Sequence, residues 1–110
     1  MTDDATLGGY QATHGRPPAF GARDGHAYSV APFVDDAPDA AGRYGAALMF
    51  VRWSETADGR PAGHLETDYL AFGTTPEHAL APLLAFTLHD VKHHLDACVA
   101  RQAAREEAHG

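Results

Sequence analysis

Apolar and polar positions alternate along residues 26–34, HAYSVAPFV, with Tyr28, Val30, Pro32 and Val34 on one side and Ala27, Ser29, Ala31 and Phe33 on the other. A period of two marks a strand, because successive side chains point to opposite faces of the pleat. Proline has no N–H to give to a ladder, so Pro32 puts this strand at a sheet edge or ends it nearby. Residues 44–54, YGAALMFVRWS, are apolar on both sides, with Ala46, Leu48 and Phe50 against Ala47, Met49, Val51 and Trp53. That is the pattern of a central strand. The stretch between them, 35–43, is dense in Asp, Pro and Gly and reads as a turn-rich connection. Residues 55–63 hold a second set of turn signals in Asp58-Gly59 and Pro61, and 64–72, HLETDYLAF, returns as a third strand.

After residue 73 the period changes to that of a helix. Thr74 or Thr75 can cap it, Pro76 fits its first turn, and Glu77 lies near the positive end of the helix dipole. Leu80, Leu84, Leu88, Val91, Leu95 and Cys98 then recur at steps of three and four, an apolar stripe that can pack across a sheet. Pro82 removes a backbone donor, so a kink, or a restart at Pro82, is expected there. After about residue 100 the apolar content falls and the helix is expected to fray. Residues 1–25 show neither period and carry repeated Gly and Pro17-Pro18, which reads as a flexible arm, with Tyr10 and Phe20 as the aromatics able to dock back. The expected fold is therefore α+β. A three-stranded antiparallel meander precedes one long C-terminal helix on one sheet face, in a single domain spanning 26–110.

Composition narrows the function classes. The 110 residues carry a formal net charge of −7, and the eight Lys and Arg are dispersed, which disfavours nucleic-acid binding through a basic patch and suits a protein partner better. No apolar run approaches the roughly 20 residues of a membrane helix, and the first residues lack the pattern of a secretory signal. A cytoplasmic, membrane-free protein is the expectation. The single cysteine, Cys98, can form no internal disulfide and reads as a small buried hydrophobe.

Chemistry concentrates in HDVKHHLDAC, residues 89–98. On a helix, His89 and His93 form an i, i+4 pair able to hold zinc or nickel through two imidazoles, with Asp96 or Asp90 as an oxygen ligand. The Glu that follows the first histidine of a metalloprotease helix is replaced here by Asp90, so the pair stands as a metal site only in an alternative reading. His94 falls one turn before Cys98, yet Cys98 belongs to the apolar stripe, where desolvation works against a thiolate. Glu66 and Asp68, with His64, could serve acid–base work, but alternate acidic residues on a strand are the ordinary wet face of a sheet. No catalytic constellation is assigned.

Exposed apolar positions point elsewhere. On a continuous helix Phe86 stands away from the stripe beside His89 and His93, and a sheet covered by one helix leaves its second face open, with Met49, Val51 and Trp53 or their opposites on it. Burial by a second subunit answers both. A homodimer is expected, through the open sheet face or through the Phe86 side of the helix.

The order Tyr28 to Asp36, then Gly42-Arg43-Tyr44-Gly45-Ala46, then Phe72-Gly73-Thr74-Thr75-Pro76-Glu77-His78-Ala79-Leu80 resembles the HicB-like antitoxin fold across residues 26–98. The resemblance implies a partial ribonuclease-H-like β-β-β-α domain that oligomerises and binds a small basic toxin without catalysis of its own. The chain departs from that pattern in a longer and more apolar second strand, in His78 at the second acidic position, and in the lack of a recognisable DNA-binding segment after the helix. The leading expectation is a small acidic, non-enzymatic interaction module, homo-oligomeric. A His89/His93 metal-binding protein, an antitoxin-like partner of a small basic protein, and an enzyme using His64, Glu66, Asp68 or Cys98 are the alternatives.

Overall fold

The strand that is apolar on both sides becomes the middle of the sheet. In a computed structural model, which describes residues 5–54 and 60–109, it is β3, Tyr44–Trp53. The other elements are α1 (Leu7–His14), β1 (Ala19–Gly21), β2 (Ala27–Val34), β4 (Pro61–Glu66), β5 (Ala71–Gly73), α2 (Pro76–Leu84) and α3 (Leu88–His109). The sheet is antiparallel with order β1-β2-β3-β4, and β5 joins β3 on the β4 side, so β4 runs along Met49–Trp53 and β5 along Tyr44–Ala46. The class is α+β, with five strands and three helices among the described residues in place of the expected three and one.

The differences from the sequence reading within the sheet have local causes. The expected third strand is two strands, because the chain leaves the ladder at Thr67. Its hydroxyl accepts from Leu48 N at 3.0 Å while its own N–H donates to Leu48 O, so one residue replaces two ladder partners. The chain then bulges outward through Asp68 and Tyr69 and rejoins β3 when Leu70 N donates to Ala46 O. The turn expected over 55–63 lies in part outside the described residues, since 55–59 are not among them, and Pro61–Gly63 already belong to β4. Pro32 sits within β2, where its missing donor costs nothing. Val30 N donates away from β3 to Pro18 O, so the proline two residues on faces the same way, beyond the end of the short β1.

The single long helix is broken between Leu84 and Leu88. Pro82 lies inside α2, and the restart comes later than expected, where Thr87 and Asp90 cap one another: Asp90 N donates to Thr87 Oγ1 at 3.0 Å and Thr87 N to Asp90 Oδ2 at 3.1 Å. The N-terminal segment fills the gap. Leu7 N donates to Phe86 O and Leu88 N to Ala5 O, both at 2.8 Å, across a bridge between Thr6 and Thr87. Residues 5–25 are thus not a free arm. Leu7 is fully buried and Phe20 packs on the core from β1. The break also resets the helical face, so α2 buries Ala79 and Leu83 rather than Leu80 and Leu84, while α3 buries Val91, Leu95 and Cys98 as the stripe predicts. The far end, expected to fray after residue 100, continues as helix to His109.

All three helices lie on one side of the sheet. The core joins Tyr28 and Val30 of β2, Ala46, Leu48 and Phe50 of β3 and Leu65 of β4 to Leu7, Leu83, Val91, Leu95 and Val99. Burying a side chain such as Phe50 or Leu48 contributes about 1.5–3 kcal/mol each. The layers meet most tightly at Gly73, where a Cβ would fall 2.5 Å from Ala79 N, a backbone approach only glycine permits. At the far end of the sheet the buried Tyr28 hydroxyl is satisfied by charge, donating to Asp24 at 2.5 Å and accepting from Arg52 Nε at 2.8 Å. Burial opposes ionisation of Asp24, but the bonds from Tyr28 and from His26 N outweigh it and hold that carboxyl below its ordinary value.

Candidate functional site

Because side chains alternate, the register that fills the core also fixes what the other face presents. Reading across the strands, the odd positions of β3 stand in rows: Gly45 with Phe72, Ala47 with Phe33, Met49 with Ala31 and Glu66, Val51 with Ser29 and His64, and Trp53 with Ala27 and Pro61. None of these apolar residues belongs to the core cluster, and Phe33, Met49, Val51 and Trp53 are half-buried. Trp53 is held by a bond from its indole Nε1 to Ser29 Oγ at 2.9 Å. The sequence left open which side of β3 would be uncovered. It is the side of Met49, Val51 and Trp53.

The upper end of this face carries residues that the sequence reading passed over. Tyr69 and Phe72 are the most exposed large hydrophobic residues described, at 48% and 45%. The Tyr69 ring lies over Gly45, where a Cβ would come within 2.7 Å of it, an aromatic covering a strand glycine. Its hydroxyl donates to the Asp35 carboxylate, which pushes the phenol's pKa up. Phe72 meets the Tyr69 ring edge-on at 5.6 Å, and the Arg43 guanidinium sits 4.7 Å over the Phe72 ring. Beside Tyr69 a hollow of about 310 Å³ is lined by Phe33, Ala47, Asp35 and Glu66. A usable signal was present in the sequence: Gly45 interrupts an otherwise apolar strand, and such a glycine marks close approach by another group.

The helix side of the molecule answers the histidine question differently. His89 and His93 are exposed on α3, and Asp96 is tied to Lys92 in an i, i+4 ion pair at 2.5 Å. Asp90 is occupied in capping, its carboxyl held low first by the bond from Thr87 N. Among the described residues no group of three or more His, Cys, Asp and Glu is placed to hold a metal ion. Phe86 is not the exposed aromatic that a continuous helix implies. It sits in the break before α3, packs against the core, and stacks on His94 with ring centres 5.5 Å apart. Burial there lowers the pKa of His94, and the neighbouring His93 adds to the effect while Asp90 opposes it.

Three of the four residues weighed for catalysis do meet. His64, Glu66 and Cys98 line a cleft of about 310 Å³ between β4 and α3, together with Arg101 and Arg105. Cys98 is only 3% exposed, and its sulfur is bonded to the Glu66 carbonyl and the Arg101 guanidinium, neither of which can take a proton from it. His64 pairs with the Glu66 carboxylate at 3.5 Å and Asp68 with Arg101 at 3.5 Å, both near the surface. Among the described residues no helix is long and apolar enough to cross a membrane. Comparison with protein-family models, with curated proteins and with solved structures found no significant match to this chain.

Proposed function

We propose that this protein is a non-enzymatic interaction module that works as a homodimer, joined through the open face of its sheet. The observation that supports this reading most is the placement of all three helices on one side of β3, which leaves an apolar sheet face carrying Phe33, Met49, Val51 and Trp53 without a described element over it. A face of that kind is the usual signature of an interface whose centre is apolar and whose rim is charged. Here the rim is supplied by Asp35, Arg43, His64 and Glu66. A two-fold dimer satisfies both copies at once, because the same patch serves on each.

Sedimentation equilibrium of the full chain, with and without a chelator, tests the reading. A dimer indifferent to the chelator is expected. Val51→Glu places a charge at the middle of the face and is expected to give a folded monomer. A parent chain that stays monomeric through the micromolar range, or a dimer that Val51→Glu leaves intact, contradicts the reading. Assembly that collapses on chelation would favour the alternative built on His89 and His93 with zinc or nickel. A second reading, an antitoxin-like partner of a small basic protein, draws support from the net charge of −7 and from the carboxylates on the rim of the same face.

A further inference from the structure

The upper end of the open face carries a cation, an aromatic pair and an acidic hollow in contact with one another in that order. Arg43 lies over Phe72, Phe72 meets Tyr69 edge-on, and Tyr69 forms one wall of the hollow that Asp35 and Glu66 line. The same end of the face therefore carries both a cation and a hollow with the opposite charge. We infer that a second copy of this chain docks on the open face in a register that brings Arg43 of each copy into the acidic hollow of the other.

Symmetry makes this arrangement economical. In a two-fold interface a contact from one residue to another occurs twice, so one cation on one flank and one hollow on the other give two charge pairs from a single patch. The hollow has the chemistry a guanidinium needs, with the flat rings of Phe33 and Tyr69 for its faces and carboxylate oxygens for its N–H groups. Arg43 is free to be redirected. Its ion-pair partner within the chain is Asp39 at 3.3 Å, with both side chains well exposed at 52% and 39%, the kind of pair that contributes little. The same contact explains why the two most exposed large hydrophobic residues described sit side by side at this end. They become part of the contact.

The inference rests on the homodimer reading and specifies its register, so the test separates the two. Dissociation constants of the full chain are measured by sedimentation for the parent, Arg43→Glu, Glu66→Arg, and the variant carrying both. Both sites are exposed, and circular dichroism checks that each variant keeps its fold. Each single reversal sets like charges against each other across the interface and is expected to weaken the dimer by about tenfold or more, whereas the double variant restores the pairing in reverse and is expected to recover most of that loss. A dimer in which neither single variant matters, or in which the double variant is no better than the weaker single one, overturns the register while leaving a homodimer in place. A parent chain that is monomeric throughout overturns both.

Discussion

The two faces of β3 differ more in what covers them than in what they are made of. Leu48 and Phe50 face three helices and are wholly buried, while Met49 and Val51, one step away on the same strand, face outward and are half-buried. A sequence pattern that is apolar on both sides says that both faces avoid water. It does not say that the same chain supplies both covers. On one side the cover is α1, α2 and α3, and on the other the proposed cover is a second subunit.

Substitutions on the two faces sharpen the contrast. Phe50→Ala is expected to have the largest effect, a loss of about 3–5 kcal/mol in folding stability seen by chemical denaturation, because it opens a cavity in a core that cannot collapse around it. Val51→Glu, its neighbour, is expected to leave the stability of the monomer nearly unchanged and to act on assembly instead. Gly73→Ala comes next. A methyl group placed 2.5 Å from Ala79 N forces β5 and α2 apart and is expected to cost about 1–3 kcal/mol, read as a lowered melting temperature. Thr87→Ala removes the cap at the start of α3 and is expected to cost about 1 kcal/mol.

The smallest effect is one of pH. Burial lowers the folded-state pKa of His94, so the unfolded chain takes up a proton first as pH falls. Stability from this group is complete above its ordinary value of 6.5 and is lost as pH falls below that, until the folded-state pKa is passed. His94→Leu is expected to flatten the stability profile between neutral and mildly acid pH. Asp24 acts lower on the scale. Its depressed folded-state pKa makes its contribution complete above 3.8 and lost as pH falls below that value, so Asp24→Asn is expected to lower stability across the range above 3.8 and to flatten the acid limb of a denaturation profile.

How much of this was legible in the sequence depended on whether the signal was local. Alternation placed β2 and β3 within a residue or two of their ends, and Thr75-Pro76-Glu77 marked the start of α2, because caps and strand periods act over a few neighbours. The break before α3 had a local signal too, in the spacing of Thr87 and Asp90, but it was masked by the leucine steps that run through Leu84 and Leu88 as if the helix were continuous. Once the break shifted the phase, Phe86 packed against the core and stacked on His94 instead of standing out from a continuous helix. The docking of Leu7 into that break was out of reach, since it pairs residues about eighty positions apart by backbone bonds that no side-chain pattern encodes. Tyr69 and Phe72 were hidden for a related reason. Their meeting with Gly45 and Arg43 depends on the bulge at Thr67, which reads in sequence as one more strand residue.

One residue allows the central claim to be tested on the face itself. Trp53, the sole tryptophan of the chain, lies on the open side of the sheet, so its fluorescence reports whether that side is wet. Emission recorded while the parent chain is diluted through its dissociation range is expected to shift to longer wavelength, with the same midpoint as sedimentation, and Val51→Glu is expected to show the long-wavelength spectrum at every concentration. Emission that ignores dilution while sedimentation shows the dimer coming apart would put the interface elsewhere on the molecule, and the open face would then have no claim to be the site.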